Sequence, residues 1–308
     1  MEGYGRRVLL FVIVCLLGTS GASCWRREQF PRVLPPSPTL EQVIDAVNRN
    51  NGAIESFTAT QASLSGPGMP TLRASMVFQR PKRLRLRADL FGSPEIDLGS
   101  NDELFWFWVK RGDPAALFYC RHERFAESPA RRLMPVDPQW LIEALGIGLI
   151  DPALPHQGPL MLPGNRLELR TITETSDGPT TKITILDASQ GWILEQRLHD
   201  AQGRVIAASA TGRHKRDPLT GLFIPTVVQA SYPAAQFYVR LDLGNVQVNR
   251  LPPNQAELWT MPNYPGYPLV DLADPRMQLR PTNAQRHYTV PGGQGGQAKS
   301  DTPMRWPR

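Results

Sequence analysis

Few side chains in this sequence stand in a pattern that reacts. His122-Glu123 opens an H-E-x-x-H zinc motif, but position 126 is alanine and the run sits at a strand end, so no second histidine completes it. His156, His199, His214 and His287 are scattered along the chain. A metal would need distant residues to converge, and three cysteines provide no paired-cysteine site. Neither a G-x-S-x-G elbow nor a glycine-rich phosphate loop ending in Lys-Ser or Lys-Thr occurs. Cys120 lies in the apolar run Leu117-Phe118-Tyr119-Cys120, where a cysteine reads as a small buried hydrophobe. The sequence therefore reads as a protein without catalytic residues, metal or cofactor.

The chemistry that remains is burial of apolar matter. Leu84, Leu86, Ile96 and Leu98 alternate with charged residues on two neighbouring strands and share one face. They line an acyl-chain cavity if that face stays open, each buried CH₂ contributing about 0.8 kcal/mol, or they fill a closed core. Phe105-Trp106-Phe107-Trp108 places aromatics on both faces of one strand. That needs cover on both sides or a membrane-facing patch, and Trp106 and Trp108 join the candidate cavity residues. Phe91, next to Gly92 at an expected hairpin tip, inserts into a bilayer or partner, or folds back on the sheet.

Residues 1–23 read as a secretory signal: Arg6-Arg7, an apolar run over 8–17, then small residues up to Ser23. Ten apolar residues are too few to span a bilayer core, which takes roughly 20. Gly21-Ala22-Ser23-Cys24 resembles a bacterial lipobox, with glycine where leucine is usual. That resemblance implies acylation of Cys24, which becomes the new N-terminus; ordinary cleavage before Cys24 is the other reading. Trp25 is not the aspartate that retains some lipoproteins at the inner membrane, so by that analogy the anchor lies in the outer membrane, facing the periplasm. Taking away Arg6, Arg7 and Glu2 from 34 basic and 28 acidic residues leaves a net charge of +5. The basic residues form no block, which argues against nucleic acid as a partner and is compatible with anionic lipid.

These residues must be positioned by the folded part, expected over 39–270 after a Pro-rich tether at 24–38. Thr39 and Gln42 form a capping box ahead of Leu40, Val43, Ile44 and Val47 at helical spacing, until Asn51-Gly52 ends the helix. Period-two alternation then runs to about 249 with turn residues between runs, giving ten or eleven strands of antiparallel sheet. A second helix interrupts them: Asp137 caps it, Pro138 opens it, and Trp140, Leu141, Ala144 and Leu145 form its apolar stripe. It would lie across the apolar face as a lid. Residues 271–308 lose periodicity and read as a disordered tail in which Arg276, Arg280, Arg286, Arg305 and Trp306 are candidates for docking on an envelope protein.

A helix, a wide antiparallel sheet and a helix inserted mid-sheet, behind a lipoprotein signal, together resemble the LolA/LolB superfamily of lipoprotein carriers and receptors. The local match is Arg80-Pro81-Lys82-Arg83-Leu84-Arg85-Leu86, a basic-Pro segment entering a strand that carries an arginine, with Leu86 where the family often has tryptophan. Residues 88–96, with Phe91 before Gly92, resemble the protruding turn of the receptor-like branch. The resemblance implies an incomplete β-barrel, mainly β with few helices, whose cavity receives acyl chains of lipids or lipoproteins. It also implies that Arg85 reaches across the mouth to the lid backbone near Trp140 and Leu141. From alternation alone Arg85 is a solvated, outward charge. A different reading of the same fold is a non-catalytic envelope adaptor that binds a partner protein through its sheet edges.

Overall fold

The structure is a computed structural model and describes residues 30–132, 139–175, 178–233 and 237–276. The signal, Cys24, the Asp137-Pro138 helix start and the tail from 277 lie outside the described residues. The chain divides into Met1–Arg32 and a body over Val33–Arg308. In the body, helix α1 spans Leu40–Gly52, and the expected capping box is formed: Gln42 N donates to Thr39 Oγ1 (3.3 Å) and Thr39 N to Gln42 Oε1 (2.9 Å).

Among the described residues, fifteen strands make one sheet. The first six are β1 Ser56–Gly66, β2 Met69–Gln79, β3 Arg83–Leu90, β4 Ser93–Ser100, β5 Leu104–Val109 and β6 Leu117–Arg121. After a short helix α2, His122–Phe125, and helix α3, Gln139–Ile142, come β7 His156–Leu162, β8 Arg166–Thr175, β9 Gly178–Asp187, β10 Ile193–His199, β11 Val205–Arg216, β12 Phe223–Tyr232, β13 Phe237–Asp242, β14 Val246–Val248 and β15 Leu269–Asp271. The order is β15-β6-β5-β4-β3-β2-β1-β13-β12-β11-β10-β9-β8-β7, with β14 beside β1. Among the described residues, β15 with β6 is parallel and the other pairings are antiparallel. Among the described residues β15 and β7 form open edges, so the sheet is an unclosed, mainly β half-barrel, as expected. The strand count exceeds the expectation. β7 carries Gly158-Pro159 and shows no alternation, β14 and β15 are three residues each, and the run at 236–249 breaks into two strands.

Two helical layers cover the apolar face. α1 packs Val43, Ile44 and Val47 on Leu167, Leu169 and Leu186. α3 runs on as a wider turn, Glu143–Ile147, over β10, β11 and β12. Gly146 closes that turn at φ +76, and a Cβ there would come within 2.8 Å of Thr211 Cγ2, so only glycine lets the helix end against β11. No helix among the described residues is long and apolar enough to cross a membrane.

Two expected boundaries move. Val33 and Leu34 donate their amides to Ser189 O (2.8 and 3.0 Å), and Leu34 and Pro38 are buried, so the body begins at Val33 and not at Thr39. Apolar contact outweighs the extended preference of the prolines. At the other end, Leu272 and Ala273 are buried beside Phe125, which carries the body past 270.

Candidate apolar cavity and its supports

Burial is inverted at Arg85 and Leu86 on β3 and along β4. The charged residues Arg85 and Asp97 are 2% and 1% exposed, whereas Leu86, Ile96 and Leu98 on the opposite face are only partly buried. The apolar face is undercovered because it borders a cavity of about 1260 Å³. Leu84, Leu86, Ile96 and Leu98 line it on the sheet side, and Leu141, Ile142 and Leu145 on the helix side. Lining residues at the turns 67–68 and 91–92, and at Phe237, are exposed; Leu84, Ser100 and Phe105 at the far end are buried. The mouth therefore lies where β1 meets β2 and β3 meets β4.

Of the two tryptophans expected at the cavity, Trp106 borders it and Trp108 does not. A Cβ on Gly99, which shares the face of Asp97, would meet the Trp106 ring at 2.1 Å, which puts that ring on the outer face. Trp106 borders the cavity without turning its ring into it, and Trp108 is not among the lining residues. The inward aromatics are Phe105 and Phe107, because the pleat fixes one face for every second residue. The strand needs cover on both sides and has it.

The outer cover is the chain between β14 and β15. Trp108 stacks on Tyr264 with ring centres 4.0 Å apart, the Tyr264 hydroxyl donates to Asp97 Oδ2 (2.6 Å), and the Tyr267 hydroxyl donates to Lys110 O (3.1 Å). Burial first, then the bond to Asp97, pushes the Tyr264 hydroxyl well above the usual phenol range. Arg85 is the centre of this layer. It pairs with Asp97 (2.6 Å), donates to Leu258 O and Thr260 O (3.2 and 2.8 Å), and sits 5.0 Å from the Trp106 ring centre. Arg85 points outward, as alternation indicates, but it is neither solvated nor a lid contact.

The arginine that does reach the inserted helix is Arg80. Its guanidinium donates to Asn51 O, Ile54 O and Ile147 O (2.8, 2.8 and 2.7 Å), tying the end of α1 to the last residue of the inserted helix. Trp140 packs that helix on Ala207, Ala230 and Tyr232, and Leu141 faces the cavity. Arg80→Met removes three charge-assisted bonds and should cost about 2–3 kcal/mol locally. Amide exchange across residues 143–148 is expected to accelerate roughly 50-fold. Unchanged exchange would show that packing alone holds the helix.

Polar groups at the inner end do not form a catalytic pair. Ser100 Oγ lies 3.3 Å from His122 Nε2, but that nitrogen is 2.9 Å from Asn101 O. A carbonyl only accepts, so Nε2 carries the proton and is not a base for Ser100. Cys120 is fully buried, and burial, with Asp271 second, pushes its thiol up to about 11. Among the described residues no group of three His, Cys, Asp or Glu is placed to hold a metal.

Phe91 is fully exposed at the β3–β4 tip, with φ +52, followed by Gly92 at φ +82. It does not fold back on the sheet. A left-handed backbone costs a non-glycine residue about 1–2 kcal/mol, and asparagine tolerates it better. Phe91→Asn should therefore raise the melting temperature by about 2–4 °C. A fall on thermal unfolding would mean the ring contributes to the folded body.

No family model and no curated protein matches the chain. Solved structures similar in fold include a domain from Vibrio parahaemolyticus named for outer membrane lipoprotein sorting: 11% identity and TM-score 0.48, over 71% of this chain and 99% of that one. A DUF1329 family protein from Desulfovibrio piger is 12% identical with TM-score 0.47, covering 71% and 98%. A LolA superfamily protein from Nitrosomonas europaea is 11% identical with TM-score 0.45, covering 72% and 98%. The architecture inferred from the sequence, an open antiparallel sheet with a helix inserted across its apolar face, is the one this chain forms.

Proposed function

We propose that this chain is a lipid-anchored envelope lipoprotein that takes acyl chains of lipids or lipoproteins into its cavity, for transport or membrane insertion. The contrast between the buried Arg85–Asp97 pair and the partly buried Leu86, Ile96 and Leu98 supports the reading: these three side chains face a space of about 1260 Å³. A chain of about 16 carbons entering it would gain on the order of 10 kcal/mol at about 0.8 kcal/mol per CH₂. Acylated Cys24 supplies the anchor, and Phe91 enters the acyl-bearing surface that delivers or receives cargo. No step in this function needs a catalytic group. A fluorescent fatty acid titrated into the purified chain tests it. Saturable binding displaced by diacylglycerol is expected, and fluorescence that stays at the solvent value sinks the reading.

One observation favours an adaptor as the second reading. The outer edge of β7 has no strand partner among the described residues, and Leu160 and Met161 on it are 57% and 50% exposed, which suits strand addition by a partner protein. An adaptor would co-purify with protein and hold no lipid.

A further inference from the structure

The chain enters the body at one end of the sheet, and the cavity opens at the other. Val33 and Leu34 are bonded to Ser189, in the turn from β9 to β10. Tracing the antiparallel ladder from β4 to β10 groups that turn with those at 80–82, 101–103 and 217–222. The mouth turns, 67–68 and 91–92, lie at the opposite strand ends. The entry end also exposes apolar side chains: Val33 is 52%, Leu149 48% and Leu219 74% exposed. They lie around α1: Leu34 packs near Gly191 and α1, Leu149 lies beside Gly52, and the turn bearing Leu219 leads to Phe223, bonded to Asn50.

Cys24 precedes Val33 by nine residues, which span at most about 30 Å fully extended. β11 alone has 12 residues, about 40 Å along the strand. A nine-residue leash keeps the entry end near the bilayer that holds Cys24, and with the strands upright on that bilayer it is too short to let the mouth end face it instead. We infer that the body docks on its own bilayer through the end bearing Val33, Leu149 and Leu219. The mouth and Phe91 then point away from that bilayer. This rests on the proposed acylation of Cys24.

The test uses the acylated full chain in phosphatidylethanolamine and phosphatidylglycerol vesicles carrying an energy-transfer acceptor on the headgroups. A donor is placed at Leu219→Cys in one protein and at Phe91→Cys in another; Cys120 stays unlabelled because it is buried. Transfer several-fold stronger from position 219 is the expected result. Equal transfer, as for a body lying on its side, or stronger transfer from position 91 overturns the inference. An N-terminal peptide mass without acyl groups overturns it too, and Cys24→Ala should abolish transfer from both positions. Fatty-acid binding, read separately, is independent of orientation, so failure of the docking inference and failure of the cavity reading are distinguishable.

Discussion

Leu98→Asp should abolish acyl-chain binding while leaving the protein folded. Leu98 lines the cavity from the centre of β4, opposite Leu86 on β3, and is only partly buried. The carboxylate is hydrated in the empty cavity, so the cost to folding is small. An entering chain would strip that water from a charge with no partner, at a cost of several kcal/mol. At 1.4 kcal/mol per decade this lowers affinity about 1000-fold. The fluorescent fatty-acid titration reads it, with circular dichroism as the check on folding. Unchanged affinity in a folded variant would mean the ligand sits elsewhere.

Asp97→Ala is the largest expected loss of stability. It strands the Arg85 guanidinium under the outer layer with only the carbonyls of Leu258 and Thr260, and removes the acceptor of the Tyr264 hydroxyl. Breaking a buried pair on one side costs about 3–5 kcal/mol. For a body of this size that lowers the melting temperature by about 10 °C. The paired replacement Arg85→Met with Asp97→Leu should recover most of the loss, since an apolar pair of similar volume is close to neutral. A single variant that melts like the parent would show that water reaches the pair and that the outer layer is loose.

The sequence displayed the sheet well and its covers poorly. Alternation at 84–89 and 95–98 put Leu84, Leu86, Ile96 and Leu98 on one face, because the pleat forces every second residue to one side, and that face borders the pocket. Thr39 and Gln42 marked α1 by a bond pattern confined to one turn. What alternation does not reveal is how each face is covered. Arg85 looked solvated because the residues over it and its partner Asp97, namely Leu258, Thr260 and Tyr264, lie more than 160 positions away in a stretch without periodicity. The available signal was the aromatic content there, Trp259, Tyr264 and Tyr267 amid prolines, which matches Trp106 and Trp108 in need of cover. The role of Arg80, named only as part of the basic-Pro segment, escaped notice for the same reason: its acceptors are backbone carbonyls of Asn51, Ile54 and Ile147, and no residue type announces a carbonyl.

Whether the cavity holds acyl chains is tested most directly by native mass spectrometry with lipid extraction on a Cys24→Ala form of the chain purified from cell envelopes. The account predicts bound lipid or acylated peptide that is lost in Leu98→Asp and retained in Phe91→Asn. A folded protein that emerges empty, and stays empty when offered fatty acid or diacylglycerol, would contradict it and leave the adaptor reading in its place.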